Sequence, residues 1–221
     1  MSGSVLHRRG HTMDYITVYA EAEGRYEEKR SEFIGHIAPV KNGDEAAAFV
    51  ERIKSENRKA RHNVYAYIVR EGNITRYSDD GEPQGTGGMP VLDVLRKQGL
   101  SDVCVVVTRY FGGILLGANG LVRAYSQACA EAVSSARKMY MSDCSRLEFS
   151  VDYTLYGKVS YLLPSYKVIT EREDFADRVN ISLLVRKVYA EDLKAQLVDA
   201  SNGSIELSEI TGLIADFGEK L

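Results

Sequence analysis

The sequence has little of several residue types that mark particular classes of protein. Its 221 residues include no tryptophan, four prolines and three cysteines, and they contain no long apolar run. Cys104, Cys129 and Cys144 are odd in number and lack metal-ligand spacing, which favours buried free thiols in a reducing compartment. No apolar segment reaches the roughly 20 residues that cross a bilayer. We therefore expect a cytoplasmic protein without a membrane partner.

Charge is nearly balanced over the whole chain but is unevenly distributed along it. The net charge is −3, which argues against a broad nucleic-acid-binding surface. Up to Asp143 the sequence has 19 lysines and arginines against 18 aspartates and glutamates, whereas the remainder has 9 against 13. The first part can therefore carry a local basic patch, while the second part is mildly acidic.

The hydrophobic pattern divides the chain at about Asp143, where composition, charge and period all change. Each half has enough alternating apolar positions for its own core. The first residues are polar and charged, without the apolar core of a signal peptide. We expect a disordered, dispensable extension over residues 1–14, a first domain over 15–142 and a second domain over 143–221, with the two domains folding separately.

The first domain is expected to combine a sheet with three helices. A charged connection from Gly24 to Arg30 separates its first two strands, and its last strand is apolar on both faces, which is typical of a central strand. Helices are predicted from about Asp44, Pro90 and Gly120. The predicted strands are Ile16–Glu21, Phe33–Val40, Val64–Val69, Ile74–Tyr77 and Val103–Thr108.

The second domain has the element order β-α-β-β-α-β, which is that of a ferredoxin-like module. Its first strand alternates apolar and polar residues, which predicts one wet face. The predicted elements are a strand over Leu147–Tyr153, a helix over Tyr156–Leu163, strands over Tyr166–Glu171 and Val179–Val185, a helix over Ala190–Ala200 and a last strand from Ile205.

A glycine-rich loop from Ser78 to Met89 mixes glycines with carboxylates just before a predicted helix. Glycines allow close backbone approach and a helix start favours anions, so a phosphate near Gly87 and Gly88 is one interpretation. A magnesium site is another, and a tight solvated connection with capping carboxylates is a third. Neither nucleotide-binding glycine fingerprint is present. The candidate binding residues are Asp79, Asp80, Glu82, Gly85 and Thr86.

A second loop follows the apolar strand and contains Arg109, Tyr110, Phe111, Gly112 and Gly113. An arginine at this place can clamp a phosphate or carboxylate, and the aromatic rings can stack on a base or a partner's side chain. We therefore expect an exposed Arg109 that contacts the partner, and two loops that meet on one surface. The alternative is an Arg109 paired internally with Asp79 or Asp80, with the aromatic rings in the core.

A local positive patch is a further expectation for the first domain. The basic run from Arg58 to Arg61 precedes His62 and Asn63, and Arg76, Arg109 and Arg123 can extend it. The alternative is an exposed helix end that complements its dipole. His36 and His62 are also candidates for binding, although lone histidines on strands are more often structural. No sequence pattern of a catalytic triad or a zinc protease is present.

Several segments together carry a specific resemblance to a known family. They are Ser78–Pro83, Gly85-Thr86 with Pro90, Val106–Gly113 with Gly117, Leu121–Tyr125, Phe33-Ile34 with His36, and His62-Asn63 with Tyr65–Tyr67. These segments resemble the IMPACT family, in its bacterial YigZ-like branch, over about residues 15–140. The resemblance implies an α+β first domain like domain IV of elongation factor G, with a mixed sheet and helices on one face. It implies a ferredoxin-like second domain similar to the last domain of that factor.

The resemblance also implies a role linked to translation. Eukaryotic members act in translational control by competing for an activator of a kinase that targets an initiation factor, and family members have no established catalytic activity. We expect a non-enzymatic protein, without catalytic residues, cofactor or metal, whose partner is RNA or a ribosome-associated protein. Convergent carboxylates in a closed cleft would instead favour a metal-assisted enzyme acting on a phosphorylated small molecule. An exposed apolar patch near Phe111 to Leu116 would favour a pure protein-interaction module.

Overall fold

The computed structural model describes residues 14–218, so the extension predicted for residues 1–14 lies outside the described part except for Asp14. The chain divides into one compact unit of Tyr15–Met139 and another that begins at Tyr140. Both units combine helices with an antiparallel sheet, which confirms the α+β class. Separate folding of residues 15–142 and 143–221 stays a prediction.

The first unit contains six strands and three helices among the described residues. They follow the order β1 (Tyr15–Val18), β2 (Ala22–Glu28), β3 (Ser31–Pro39), α1 (Gly43–Glu56), β4 (His62–Val69), β5 (Ile74–Ser78), α2 (Gly88–Lys97), β6 (Val103–Tyr110) and α3 (Gly117–Ser135). Five of the strands form a sheet in the order β2-β3-β6-β4-β5. Every neighbouring pair in it is antiparallel, so the expectation of a mixed sheet is wrong.

The expectation of helices on one face of this sheet is also wrong, because helices cover both faces. On one face, the Cys104 thiol of β6 lies 3.8 Å from the Ala46 carbonyl of α1. On the other, the Phe33 ring of β3 meets the Tyr125 ring of α3 edge to face at 5.1 Å. The physical reason is the central strand β6, whose residues are buried on both sides and therefore need cover on both sides.

The charged segment from Gly24 to Arg30 is part of the sheet and not a connection. It supplies edge strand β2, whose polar side chains are largely exposed. Gly24 allows α3 to pack against this strand, since a Cβ there would lie 2.2 Å from the Ala132 backbone nitrogen. The apolar period that marks a half-buried strand is missing because a glycine occupies the buried position.

The hairpin between β2 and β3 turns on Lys29 and Arg30, which have φ values of 47° and 65°. Two-residue hairpin turns favour this left-handed conformation, and they usually use Asn-Gly because other side chains are strained there. Replacing the pair by Asn-Gly is therefore expected to raise the free energy of unfolding by about 1 kcal/mol. Urea unfolding measures the change. A Lys29→Ala/Arg30→Ala variant removes the same charges without relieving the backbone, and a gain of the same size in that control would contradict the argument.

The second unit confirms the predicted ferredoxin-like order. Its elements are β7 (Lys138–Val151), α4 (Tyr153–Leu162), β8 (Ile169–Phe175), β9 (Val179–Arg186), α5 (Lys187–Ala200) and β10 (Leu207–Asp216). The strands pair antiparallel, with β7 between β10 and β9, and β8 beyond β9. Both helices pack on one face of this sheet, where Val159 and Leu193 meet Leu147 and Leu183.

Two further expectations concern the thiols and the membrane. Cys104, Cys129 and Cys144 are free and buried, as predicted. Burial raises the pKa of the Cys129 thiol to about 12, so the thiol is protonated at neutral pH. None of the helices between residues 14 and 218 combines the length and the apolarity needed to span a bilayer.

Candidate functional site

The two predicted loops meet at one end of the first unit's sheet. The first loop, residues 79–87, joins β5 to α2, and the second loop, residues 111–116, joins β6 to α3. Glu82 of the first loop accepts a hydrogen bond from Nη1 of Arg109 at 2.6 Å, just before the second loop. The same Glu82 oxygen accepts the Tyr125 hydroxyl of α3 at 2.7 Å. These contacts confirm that the two loops meet in space, whereas a shared binding surface stays a prediction.

Arg109 is buried, so the expectation of an exposed side chain is wrong. Only 7% of the residue is exposed, and its guanidinium lies near two rings, with the Cζ atom 5.4 Å from the Phe33 centroid and 5.6 Å from the Phe111 centroid. Arg109 is paired internally, but its partner is Glu82 and not Asp79 or Asp80, which were the partners expected for internal pairing. Burial and the hydrogen bond to Glu82 raise the pKa of Tyr125, so this neighbour remains a neutral donor.

The Asp79 carboxylate lies at the start of α2, where one interpretation of the sequence placed a phosphate. One of its carboxylate oxygens accepts the backbone N–H groups of Gly87 and Gly88 at 3.0 and 2.8 Å, and the other accepts that of Gly85 at 2.8 Å. A carboxylate of the chain itself therefore fills the anion position at the start of α2. This contradicts the interpretation that Gly87 and Gly88 bind a phosphate.

The contacts of Asp79 predict an acid-sensitive loop. Burial raises the pKa of its carboxyl group, but the N–H donors of Gly85, Gly88 and Gly87 together outweigh that effect and lower the pKa below 3.8. A carboxylate with a depressed pKa stabilises the fold fully above its ordinary pKa, and the contribution is lost as pH falls through the lower folded value.

Replacing Asp79 with asparagine should therefore reduce the free energy of unfolding near neutral pH by about 1–3 kcal/mol, because charge-assisted hydrogen bonds are lost. The variant should also lose less further stability than the parent when pH falls below 3.8. Urea unfolding near neutral pH and in that acidic range measures both effects. Asp93→Asn, at an exposed position of α2, is the matched control, and an equal response of the two variants would contradict this role of Asp79.

Asp80 points away from Asp79 and holds the first loop to β4 and α1. Its carboxylate pairs with the Lys54 ammonium at 3.0 Å and accepts the Asn63 backbone N–H at 2.7 Å. Asp79, Asp80 and Glu82 therefore have three separate sets of partners and do not converge on one point. This geometry contradicts the magnesium interpretation, and no group of three or more potential ligands among residues 14–218 is placed to hold a metal.

Three other candidate residues of this end have structural contacts. Thr86 is buried and donates its hydroxyl to the Pro83 carbonyl at 2.7 Å. Asn63 accepts the Thr108 hydroxyl at 2.7 Å. The Nδ1 atom of His62 lies 2.8 Å from the Asp80 carbonyl, and because a carbonyl only accepts, this nitrogen carries the proton. These contacts join the start of β4 to β6 and to the first loop.

His36 does not belong to the loop end. It lies in the middle of β3 opposite Val106, and its Nδ1 atom is 3.1 Å from a Glu23 carboxylate oxygen of β2. Desolvation lowers its pKa, although Glu23 opposes that effect. His36 was predicted only as a candidate for binding, and its place along the strand separates it from the glycine loops at the strand end.

The second loop presents apolar side chains to solvent. Phe111, Ile114 and Leu115 are 53%, 42% and 82% exposed. Gly112 packs against the β2–β3 hairpin, since a Cβ there would lie 2.0 Å from the Arg30 carbonyl carbon, whereas Gly113 has open space and a φ of 87°. The two aromatic residues of this loop differ in environment. The Tyr110 hydroxyl donates to the Asn57 side chain at 2.9 Å, whereas the Phe111 ring is exposed at the surface.

Exposed cations surround this loop. The hairpin turn with Lys29 and Arg30 lies against Gly112. The basic run leads into His62, which is opposite Arg109 in the sheet. Arg123 follows the second loop on α3. None of these side chains forms an ion pair within the described residues, whereas nearby Glu32, Asp80 and Glu82 each have a cationic partner. In the same part of the chain, the nearby acids without a cationic partner are Glu27 and Glu28 of the hairpin and Asp79 of the first loop. We call the following residues the cationic end: Lys29, Arg30, Arg58, Lys59, Arg61 and Arg123.

Sequence reasoning missed the hairpin part of this surface. The sequence pattern predicts a charged connection between two strands for the segment containing Lys29 and Arg30, and the turn lacks the Asn-Gly signal of a two-residue hairpin. The sequence signal for this hairpin is weaker than Asn-Gly. It consists of two cations between residues that alternate in polarity around Gly24 and Gly35. Arg109, by contrast, was assigned to the patch but is neutralised inside the protein.

Comparison with known proteins places both units in one family. The Impact N-terminal domain model matches residues 29–133, and a domain of unknown function (DUF1949) matches residues 149–204. The chain is 34% identical to an IMPACT family member, YvyE, of Bacillus subtilis, over 88% of this chain and 90% of the relative. It is 31% identical to the IMPACT family member YigZ of Escherichia coli, over 82% of this chain and 91% of the relative.

A solved structure supports the same assignment. The crystal structure described as that of a hypothetical protein is 29% identical, covers 90% of this chain and 98% of its own, and has a TM-score of 0.56. The class defined by the fold is thus a two-domain α+β protein whose first unit carries two glycine-rich loops at one sheet end. The chain belongs to the IMPACT family, as the sequence motifs had indicated.

Proposed function

We propose that this protein is a non-enzymatic, cytoplasmic binding protein linked to translation, which contacts RNA through the cationic end of its first unit. The observation that carries the proposal is the group of six exposed cations, without ion-pair partners among residues 14–218, at the sheet end that holds the exposed Phe111 ring. Lysines and arginines that bind phosphates release counterions, and this release supplies most of the sequence-independent affinity for nucleic acid.

The charge distribution makes this end distinct from the rest of the molecule. The whole chain has a net charge of −3, so general charge attraction to RNA is not available. At the cationic end, however, three of the nearby acids, Glu32, Asp80 and Glu82, are already paired with Arg25, Lys54 and Arg109. Six cations therefore stand against three acids that have no cationic partner among the described residues, Glu27 and Glu28 of the hairpin and Asp79 of the first loop, whose carboxylate accepts backbone N–H groups.

The start of α3 adds a second source of positive potential. This helix of 19 residues begins at Gly117 without an acidic residue in its first turn and without a capping side chain. Its first backbone N–H groups are available for an anion, in contrast to those of α2, which Asp79 occupies. The link to translation rests on the family, whose eukaryotic members the sequence resemblance connects with translational control, and a shared fold supports it only by association.

The other functions weighed from the sequence have unequal support. A metal-assisted enzyme required Asp79, Asp80 and Glu82 to converge, and they diverge. A protein-interaction module is favoured by the exposure of Ile114 and Leu115, because aliphatic side chains contribute little to the recognition of phosphates. A ribosome-associated protein is therefore the second candidate partner for the same surface.

The test is binding to a labelled single-stranded RNA of roughly ten nucleotides, followed by fluorescence anisotropy between about 50 and 200 mM salt. The proposal predicts binding whose logarithm falls linearly with the logarithm of the salt concentration, with a slope of about −3 to −4 for five or so phosphate contacts. Absence of binding at the lowest salt would contradict the proposal. Association with ribosomes from lysate that persists at high salt, together with that absence, would identify a protein partner instead.

A further inference from the structure

We infer that the cationic end takes unpaired nucleotides of single-stranded RNA, with Phe111 as the platform on which one base stacks. This inference rests on the proposed function and specifies the form of RNA that the site accepts. It depends on how the Phe111 ring is held, and not on the charge alone.

The Phe111 ring is exposed but supported from within. The Arg109 guanidinium lies 5.6 Å from its centroid and 5.4 Å from that of the buried Phe33, so the exposed ring has a buried cation within cation–π distance. Arg109 is in turn fixed by the buried Glu82, which is also bonded to Tyr125. A ring positioned in this way can receive a base without first becoming ordered, which lowers the entropic cost of binding.

The backbone next to this ring is fixed to the hairpin that carries two of the cations. The Gly112 N–H donates to the Ser31 hydroxyl at 3.1 Å, and a side chain at position 112 would collide with the Arg30 backbone. The stacking ring and the Lys29–Arg30 turn therefore have a constant spatial relation. A strand whose base lies on the ring would have its backbone phosphates close to these cations.

This arrangement favours single strands over duplexes. A base can stack on a protein ring only if the face of that base is free, and in a duplex both faces are covered by neighbouring base pairs. Ile114 and Leu115 extend the apolar surface beside the ring, where they can contact a sugar or the edge of the base. Cations alone, by contrast, would bind a duplex at least as well because its phosphate density is higher.

The experiment uses the absence of tryptophan from the chain. A Phe111→Trp variant has a single tryptophan at the proposed platform, and a stacked base is expected to quench its fluorescence. The full-length variant is titrated with a single-stranded RNA of roughly ten nucleotides and with an RNA duplex of the same length. We expect quenching by the single strand that follows the anisotropy binding curve, and little quenching by the duplex.

Tyr19→Trp is the matched control, since Tyr19 is also an exposed aromatic beside an arginine, with Arg137 at 4.8 Å from the ring centroid. It precedes β2 at the end away from the loops, so its fluorescence should not follow RNA binding. A second variant, Phe111→Leu, keeps the apolar character and removes the stacking face. It should bind the single strand roughly tenfold more weakly, with an unchanged salt slope.

The outcomes separate this inference from the proposed function. Salt-dependent binding of the parent with equal affinity for duplex and single strand, or with undiminished affinity in Phe111→Leu, would overturn the stacking inference and leave RNA binding by the cationic end intact. Failure of the parent to bind either RNA would overturn the proposed function as well. Quenching by the single strand in Phe111→Trp, together with weaker binding by Phe111→Leu, supports both.

Discussion

Replacing Arg109 with methionine is expected to lower the free energy of unfolding by roughly 3–5 kcal/mol, because the change leaves the Glu82 carboxylate buried without its cation. Both side chains of the pair are more than nine-tenths buried, at 8% and 4% exposure, so solvent does not screen the loss. Methionine keeps much of the volume of arginine, which separates the electrostatic effect from the creation of a cavity. Urea unfolding of the full chain measures it.

A double-mutant cycle identifies the cause of this loss. In a Glu82→Gln background, Arg109→Met should cost much less, since the neutral amide can still accept the Tyr125 hydroxyl and no buried charge is left unpaired. Arg123→Met, at an exposed position of α3, should change stability by less than about 0.5 kcal/mol. If Arg109→Met were as stable as that control, Arg109 would not be a structural member of an ion pair, and its assignment to the partner-binding surface would have to be restored.

Neutralising four residues of the cationic end is expected to weaken RNA binding by roughly a hundredfold to a thousandfold at about 0.1 M salt. The variant carries glutamine at Lys29, Arg30, Lys59 and Arg61, none of which forms an ion pair within the described part of the chain. Each phosphate contact contributes about 0.7 to the salt slope for a single strand, so the slope should decrease in magnitude by about 3. Anisotropy titrations over a range of salt concentrations give both quantities.

The control for this prediction removes the same number of positive charges elsewhere. Glutamine replaces Lys41, Lys97, Arg137 and Lys187, which are exposed and lie outside the cationic end. Both variants have the same net charge, so a general electrostatic effect would weaken binding equally in the two. Equal loss would contradict a localised site, whereas loss confined to the first variant supports it.

The hairpin links stability to this binding surface. Lys29 and Arg30 occupy left-handed positions that glycine and asparagine fill at a lower energetic cost. The Asn-Gly variant should therefore be more stable than the parent and yet bind RNA more weakly, because two cations next to Gly112 are lost. RNA binding by these two cations would account for their retention in a strained turn.

The sequence predicted those parts of the fold that local patterns encode. The apolar strand β6 was assigned to the sheet centre because Val103–Val107 has no polar face. The ferredoxin-like order of the second unit was predicted from the alternation of apolar and polar residues around Leu147 and from the order of the predicted strands and helices. The meeting of the two loops followed because both were placed at strand or helix ends of one sheet, and Glu82 and Arg109 join them.

The parts that could not be predicted depend on contacts between distant residues. Arg109 and Glu82 are 27 positions apart, and no local pattern shows that their charges meet in the interior. The placement of helices on both faces could not be predicted, because the sequence does not show how α1 and α3 cross the sheet. Strand β2 escaped prediction because its buried position is Gly24, which adds no apolar side chain to the period but lets α3 approach.

The most direct test of the account is to map RNA binding by amide chemical shifts on the full-length, ¹⁵N-labelled protein. A single-stranded RNA of roughly ten nucleotides is added in steps at low salt. We predict that the largest shifts fall in residues 28–32, 57–63 and 110–120, which contain the hairpin, the basic run and the second loop with the start of α3. Shifts confined to the second unit, or spread evenly over the exposed lysines and arginines of the whole chain, would contradict it.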